Sequence, residues 1–227
     1  MQDLTEKVAI VTGASRGLGK AICKRLAEAK VTVIAAARSF DDLKQLTTSY
    51  PDQITPIACD ITDPKQVENL IHSTMTMHKQ IDILINNAGI GRFAPVDELS
   101  TEDFSLMLDV NLKGTFFTCK YSIPHLKKSK GHILNISSIA GIESFASGGG
   151  YCASKFGVMA LSDALRMELK SHHVKVSTFC PGSIKTDFGR YKDYALEPEQ
   201  VAESIYQIVA ADPGVIMNQV VMRPLVP

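Results

Sequence analysis

The chain has 227 residues, 45% of them hydrophobic, so it can bury one substantial core, and no linker, repeat or low-complexity tract divides it. Its 24 basic residues balance 24 acidic residues without forming a basic stripe, which argues against a nucleic-acid partner. We therefore expect a single domain over residues 1–227.

The five cysteines are an odd number without CxxC spacing, and the six histidines are dispersed, so neither a disulfide framework nor a metal site is indicated. The N-terminal segment MQDLTEK carries acidic residues and lacks an apolar signal region, and apolar runs elsewhere are too short to cross a bilayer. The sequence predicts a soluble cytoplasmic protein with reduced thiols and no membrane partner.

Short apolar runs alternate along the chain with longer stretches of helical period. Because such runs are apolar on both faces, they belong in a parallel sheet that helices cover on each side. The predicted fold class is α/β, a single Rossmann-type doubly wound sheet of about seven strands. Strands are expected at 7–12, 31–36, 54–58, 81–86, 132–137, 174–180 and 218–222, and helices at 17–29, 41–48, 64–78, 101–126, 150–171 and 198–211.

Three of these helices carry start signals. Asp63 precedes Pro64 as a helix cap, Ser100 is followed by the acidic Asp103 in the first turn, and Pro198 opens the last helix. These signals support the predicted boundaries at 64, 101 and 198.

The segment TGASRGLGKAI at 12–22 follows the first predicted strand and opens the first helix. Gly13, Gly17 and Gly19 stand where the backbone must turn tightly or approach a ligand. Amides at a helix N-terminus, together with the helix dipole, attract anions, so we expect a pyrophosphate here. The spacing GxxxGxG differs from the GxGxxG fingerprint of other dinucleotide sites.

The end of the second strand bears on the choice of nicotinamide cofactor. A carboxylate at that place hydrogen-bonds the free ribose 2′-hydroxyl of NAD. Here the chain reads Ala36, Ala37, Arg38, and Arg38 with Arg16 of the glycine loop offers forked donors suited to a 2′-phosphate. The sequence therefore favours NADP(H) over NAD(H).

Tyr151 and Lys155 lie four residues apart in GGGYCASKFG, which places them one turn apart on one face of the predicted helix 150–171. An ammonium beside the phenol is expected to lower the tyrosine pKa from about 10 toward neutrality. Ser138, at the end of a strand, is positioned to hydrogen-bond the same substrate oxygen. This trio suits proton transfer to a carbonyl.

Several motifs together resemble the short-chain dehydrogenase/reductase family, and the resemblance runs across nearly the whole chain. Within the family they are most similar to members that resemble 3-oxoacyl-carrier-protein reductase. The matching elements are TGASRGLG at 12–19, NNAG at 86–89, Asn111 in DVNLKG, the set Ser138, Tyr151 and Lys155, and PGSIKT at 181–186.

The resemblance implies a role for each matching residue. Tyr151 would donate the proton, Ser138 would position the carbonyl, Lys155 would tune the tyrosine and bind the nicotinamide ribose, and Asn111 would hold a relay water. The implied cofactor contacts are Gly13, Ser15, Arg16, Gly17, Leu18, Gly19, Arg38, Asp60, Ile61, Asn87, Ala88, Gly89, Tyr151, Lys155, Pro181, Gly182, Ile184 and Thr186.

The expected function is that of an NADP(H)-dependent oxidoreductase that reduces a small ketone or aldehyde to an alcohol, with Tyr151 as general acid. Two alternatives stay open at this point: an NAD-linked alcohol dehydrogenase, and a non-catalytic NADP(H)-binding regulatory protein. By resemblance we expect a homodimer or homotetramer built through the helices at 101–126 and 150–171. About eleven residues separate Thr186 from Pro198, so the segment expected over the substrate is short and the pocket is expected to be open.

Overall fold

The computed structural model describes residues 1–188 and 193–225. Seven parallel strands form one sheet in the order β3-β2-β1-β4-β5-β6-β7, which confirms the predicted doubly wound α/β class. The strands are β1 Val8–Thr12, β2 Thr32–Ala37, β3 Ile54–Ala58, β4 Ile83–Asn86, β5 His132–Ile136, β6 Lys175–Pro181 and β7 Gln219–Met222.

Alternation of side chains along β1 shows how the two core layers are made. Ala9 and Val11 pack into the cluster on one face of the sheet, while Val8 and Ile10 pack into the cluster on the other. All four are buried because helices cover both faces. A strand buried on both faces needs apolar residues at consecutive positions, and these apolar runs made the strands recognisable in the sequence.

Within residues 1–188 and 193–225, seven α-helices connect the strands. Helices α1 and α7 contribute to the core on one face with α2, and α3, α5 and α6 contribute to the core on the other. Their bounds are α1 Gly17–Glu28, α2 Phe40–Thr47, α3 Pro64–His78, α4 Thr101–Leu108, α5 Gly114–Ser129, α6 Gly149–Leu169 and α7 Pro198–Val209.

The expected helix starts are confirmed. The Asp63 side chain caps α3 by accepting from the amide of Lys65, and the Ser100 hydroxyl caps α4 by accepting from the amide of Asp103. Helix α7 begins with Pro198 behind a capping box. These bonds satisfy amides that the first turn of a helix leaves without partners.

The single helix predicted over 101–126 is wrong in one respect. A five-residue π-helical segment, Asp109–Lys113, separates α4 from α5, and α5 then continues to Ser129 with Pro124 inside it. The wider π turn carries Asn111, whose side chain bonds the backbone of Ile90 in the loop after β4. The π-helical segment thus includes a residue that contacts another part of the chain, and such a contact cannot be seen in the helical periodicity.

The strand order reverses between β1 and β4, since the chain winds outward from β1 in one direction and from β4 in the other. Loops leaving the carboxyl ends of these two strands diverge to opposite faces, and a crevice opens between them. Across the parts of the chain that the structure describes, no helix is both long and apolar enough to span a membrane.

Candidate active site

A cavity of about 890 Å³ lies at the carboxyl ends of the strands, over the point where the strand order reverses. It is lined by every residue that the sequence singled out for catalysis or cofactor binding except Asn111. The structure therefore brings the glycine loop, the arginines and the Ser138, Tyr151 and Lys155 trio into one cleft. Their roles toward a ligand stay predictions.

The glycine-rich turn between β1 and α1 is built by close approach. Gly13 has φ +64°, and a Cβ there would lie 2.7 Å from the Cα of Ala88. A Cβ on Gly19 would lie 2.1 Å from the carbonyl oxygen of Gly13. Side chains at these two positions would push the loop away from β4 and from itself, so glycine is needed for the turn.

The N-terminus of α1 is left open for an anion. Its cap residue, Arg16, makes no side-chain capping bond, and no acidic residue occupies the first turn. By contrast α2, α3 and α4 are capped by Ser39, Asp63 and Ser100. The first amides of α1 and the positive end of its dipole thus face the cleft without an internal acceptor, which suits a pyrophosphate.

Asn87 joins the ends of β1 and β4 beneath this turn. Its side-chain amide donates to the carbonyl oxygens of Thr12 and Gly13 at 3.0 and 3.2 Å. The backbone amides of Asn87 and Ala88 both donate to the Thr12 hydroxyl at 3.1 Å. These bonds fix the floor of the cleft, and they give Asn87 a structural function alongside any contact with a cofactor.

The end of the cleft beyond β2 and β3 carries charges of both signs. Arg16 and Arg38 are exposed there, as the sequence indicated. Asp42 in the first turn of α2 lines the same end, a carboxylate that the reading of Ala36, Ala37 and Arg38 missed. Asp60 also lies there and accepts at 2.8–2.9 Å from the hydroxyl and amide of Thr62.

The other end of the cleft holds the expected trio. Tyr151 lies in the first turn of α6 and is 8% exposed, and Lys155, one turn later, is 3% exposed. The Lys155 Nζ lies 5.9 Å from the centroid of the Tyr151 ring and donates to the carbonyl oxygen of Ile136 at 2.9 Å. Ser138 begins a short 3₁₀ turn, and its hydroxyl accepts from the amide of Ala140 at 3.1 Å.

The expected direction of the tyrosine pKa is wrong for this structure. Burial raises the pKa of Tyr151 to about 12, and a hydrogen bond with Ser138 opposes this rise. Burial also lowers the pKa of Lys155 to about 8. Loss of water contact is the main cause of both shifts. At neutral pH the Tyr151 phenol is therefore protonated, which is the form that a proton donor requires.

Asn111 is bonded on all sides rather than aimed into the cleft. Its side-chain amide donates to the carbonyl oxygen of Ile90 and to the Ser154 hydroxyl, each at 2.9 Å, and its side-chain oxygen accepts from the amide of Ile90 at 2.8 Å. The Ser154 hydroxyl in turn donates to the carbonyl oxygen of Tyr151 at 2.7 Å. These contacts make Asn111 a positioning residue for the loop after β4 and for the start of α6, and the relay water stays a prediction.

Sequence reasoning also missed a buried polar network behind the site. Asn86 donates to Asn135 at 2.8 Å, Asn135 donates to Ser162 at 2.8 Å, and Thr118 donates to Asn86. The network joins β4 and β5 to α5 and α6. Its members come from four segments that are distant in the sequence, so no local motif predicts it.

The cleft also includes residues that the sequence analysis did not single out. They are Ala37, Ser39, Asp42, Cys59, Thr62, Ile90, Leu106, Val110, Ile136, Ser137, Ile139, Ala140, Ser183 and Asp187.

Comparison with known proteins assigns the chain to a family. The family model described as short chain dehydrogenase matches residues 7–196, which include the glycine loop, the Ser138, Tyr151 and Lys155 trio and the turn after β6. The chain belongs to the short-chain dehydrogenase family.

Relatives within the short-chain dehydrogenase family match over nearly the whole length. An uncharacterized oxidoreductase of Staphylococcus epidermidis is 30% identical over 99% of this chain and 100% of its own. An alcohol dehydrogenase of the archaeon Thermococcus sibiricus, solved with 5-hydroxy-NADP, has a TM-score of 0.91 at 29% identity and covers 96% of this chain and 97% of its own. A metagenomic short-chain oxidoreductase in complex with NADP has a TM-score of 0.89 at 30% identity over 100% of both chains.

The described residues offer little to a metal. Within residues 1–188 and 193–225, no three His, Cys, Asp or Glu side chains group closely enough to hold a metal ion. All five cysteines are free and buried.

From the comparisons, the chain is an oxidoreductase of the short-chain dehydrogenase family. Its cleft contains both the uncapped N-terminus of α1 and the buried side chains of Tyr151 and Lys155.

Proposed function

We propose that this protein is an NADP(H)-dependent carbonyl reductase in which Tyr151 protonates the substrate oxygen. One observation carries the proposal: Ser138, Tyr151 and Lys155 share a cleft with the uncapped N-terminus of α1. The first group suits proton transfer to a carbonyl and the second suits a pyrophosphate, so the two needs of such a reductase meet in one cavity.

The chain's own residues orient the substrate and supply the proton. The Tyr151 hydroxyl donates its proton to the carbonyl oxygen, and the Ser138 hydroxyl hydrogen-bonds the same oxygen. The Lys155 ammonium, held by the carbonyl oxygen of Ile136, places positive charge beside the tyrosine and favours the phenolate that remains after transfer. When bound in this cleft, NADPH would supply the hydride, which no side chain can provide.

The residues present fit NADP(H). The open amides at the start of α1 would hold the pyrophosphate, and Asn87, Ala88 and Gly89 would line the cofactor. Arg16 and Arg38 favour a 2′-phosphate because their guanidinium groups bind phosphate through paired donors, although Asp42 at the same end opposes it. Two of the similar structures described above contain NADP or a derivative, which supports the same choice.

The direct experiment is NADPH oxidation with the purified protein, followed at 340 nm, over acetoacetyl thioesters, aromatic diketones and simple aldehydes. Carbonyl-dependent oxidation is the expected result. Binding of NADPH without oxidation of any compound would favour the non-catalytic regulatory protein. Activity restricted to NAD and an alcohol would favour the NAD-linked alcohol dehydrogenase. A 3-oxoacyl-carrier-protein reductase would prefer the thioesters.

We also propose that the protein forms a homodimer or homotetramer through α4, α5 and α6. These helices expose large apolar side chains that a partner copy would cover. They are Phe104, Leu106, Phe116, Phe156 and Met167, each at least 40% exposed. Light scattering coupled to gel filtration tests this, and a monomer at micromolar concentration would contradict it.

A further inference from the structure

Three phenylalanine side chains lie at the end of the cleft that holds Ser138, Tyr151 and Lys155. Phe93 meets the Tyr151 ring edge-on, with centroids 5.5 Å apart and planes at 76°. Phe188 lies 5.8 Å from the same ring, and Phe145 lies 5.9 Å from Phe93. They come from three separate segments: the loop after β4, the loop before α6 and the loop after β6. Two of these segments thus contact the ring of the proposed proton donor, and the third contacts Phe93.

The three rings are about half exposed, and they present this surface inside the cavity. The exposed fractions are 50% for Phe93, 49% for Phe145 and 42% for Phe188, and all three line the cavity. Apolar surface of this extent beside a buried polar group is typical of ligand sites, because covering it with a ligand removes it from water.

Two glycines make room for the rings. A Cβ on Gly91 would lie 2.7 Å from the Cζ of Phe93 and 3.1 Å from a ring carbon of Phe188. A Cβ on Gly148 would lie 2.6 Å from ring carbons of Phe145. Any larger residue at these positions would displace the rings, so the present ring arrangement depends on glycine at both.

The charges around the rings argue against an anionic substrate. Among the described residues that line the cleft, the cationic side chains are Arg16, Arg38 and Lys155. Both arginines follow β1 and β2, on the far side of the switch point from the rings. Lys155 is only 3% exposed, so none of these three cations is an exposed charge beside the rings. Asp187, next to Phe188, adds negative charge to the lining.

We propose that Phe93, Phe145 and Phe188 form an aromatic clamp that selects uncharged substrates whose carbonyl group is attached to an aromatic ring. The inference rests on the proposed reductase function and names its substrate class. A flat ring inserted among the clamp residues would take edge-to-face or offset contacts with them, which favour aromatic over aliphatic groups of equal size by about two- to tenfold. The attached carbonyl would then face the Tyr151 hydroxyl.

The test compares matched ketones, so that size is held constant. The ratio of kcat/KM for acetophenone to that for cyclohexyl methyl ketone is measured with NADPH in the wild-type protein and in Phe93→Leu and Phe145→Leu. Because intrinsic reactivity is the same in every variant, it cancels when the ratios are compared. We expect the ratio to fall by about two- to tenfold in each variant, with NADPH affinity unchanged. The carboxylate analogue 4-acetylbenzoate should react at least about tenfold more slowly than acetophenone in the wild type.

Two further variants control for effects on folding. Phe40→Leu removes a phenylalanine that is 47% exposed at the start of α2 and does not line the cleft, so its ratio should equal that of the wild type. Gly91→Ala keeps every phenylalanine but crowds Phe93 and Phe188, so its ratio should fall. Near-ultraviolet circular dichroism verifies that each variant is folded.

The outcomes separate the clamp from the proposed function. If the wild type reduces ketones with NADPH but the clamp variants leave the aryl-to-cyclohexyl ratio unchanged, the clamp is wrong and the reductase stands. The clamp is also wrong, and the reductase stands, if kcat/KM is higher for acetoacetyl thioesters than for the aryl ketones, since the rings would then cover an acyl chain. If no carbonyl compound oxidises NADPH, the reductase itself is wrong, and the clamp proposal fails with it.

Discussion

Replacing Lys155 with methionine should make the protein more stable at neutral pH while it removes catalytic activity. Lys155 is only 3% exposed, and the one hydrogen bond of its ammonium in the described structure is to the carbonyl oxygen of Ile136 at 2.9 Å. Burial lowers the pKa of Lys155 from 10.5 to about 8. At pH 7 the folded protein therefore holds a buried positive charge that water would solvate better.

The size of this effect follows from the pKa. One pKa unit corresponds to about 1.4 kcal/mol, so at pH 7 the charge lowers the free energy of unfolding by about 3 kcal/mol. Between pH 8 and pH 10.5 the unfolded chain binds more protons at this residue than the folded chain, so stability rises with pH across this window. At pH 9.5 the penalty is about 1 kcal/mol. Methionine fills a similar volume but loses the hydrogen bond, at a cost of about 1 kcal/mol.

Urea unfolding at pH 7.0 and 9.5 measures both free energies. Lys155→Met should exceed the wild type by about 2 kcal/mol at pH 7.0 and nearly equal it at pH 9.5. Lys127→Met removes an exposed lysine from the last turn of α5 and should differ from the wild type by the same small amount at both pH values. A Lys155→Met difference that is independent of pH, or a variant less stable than the wild type at pH 7.0, would refute the reasoning.

Three further predictions concern the cofactor end of the cleft and the core. Gly19→Ala should reduce NADPH affinity by at least about tenfold in a fluorescence titration, because its Cβ would lie 2.1 Å from the carbonyl oxygen of Gly13; unchanged affinity would show that the turn adapts. Arg38→Ala should raise the dissociation constant for NADPH relative to that for NADH by about threefold to tenfold, because a donor to the 2′-phosphate is lost. Asp42→Asn should lower the same ratio by about threefold to tenfold, because a negative charge near the phosphate is removed. Changes of this ratio in the same direction would contradict the prediction. Burial lowers the pKa of His132 to about 3, so the unfolded chain binds more protons at this histidine from pH 6.5 down to pH 3 and stability falls as the pH falls. His132→Gln should lose stability less steeply across that range in thermal melts, and an identical slope would exclude His132 as the cause.

The strands and most helices could be predicted because each is encoded locally. Strand runs are apolar on both faces. The helix starts are marked by Asp63 and Ser100, whose side chains accept from backbone amides, and by Pro198, which has no amide proton to satisfy. The boundaries were wrong where a contact between distant segments decided them. The π turn at Asn111 serves a bond to Ile90, and nothing in the local pattern near Asn111 marks it.

The residues that line the cleft could be predicted better than their pKa values. A lysine four residues after a tyrosine is visible in the sequence, but the burial that raises the pKa of Tyr151 to about 12 is a property of the packed structure. Asp42 was missed for a related reason. It follows β2 by several residues, and only the first turn of α2 brings it to the same end of the cleft as Arg38.

The aromatic rings show a third limit. Phe93, Phe145 and Phe188 are ordinary residues in three separate loops, and each alone reads equally well as packing. Phe93 and Phe188 contact Tyr151, and Phe145 contacts Phe93. This convergence depends on the sheet, since all three loops leave the edge where the parallel strands end. Which residues line the proposed substrate site is therefore set by topology, and the substrate class that we propose rests on the structure.

The most direct test of the reductase mechanism is Tyr151→Phe, which removes one hydroxyl and keeps the ring. NADPH affinity should stay within about twofold of the wild type, because the ring still packs against Phe93 and Phe188. Carbonyl-dependent turnover should fall by at least about a hundredfold, the contribution that a positioned proton donor makes. A variant that binds NADPH and still reduces the same ketone within tenfold of the wild-type rate would contradict the assignment of Tyr151 as the general acid.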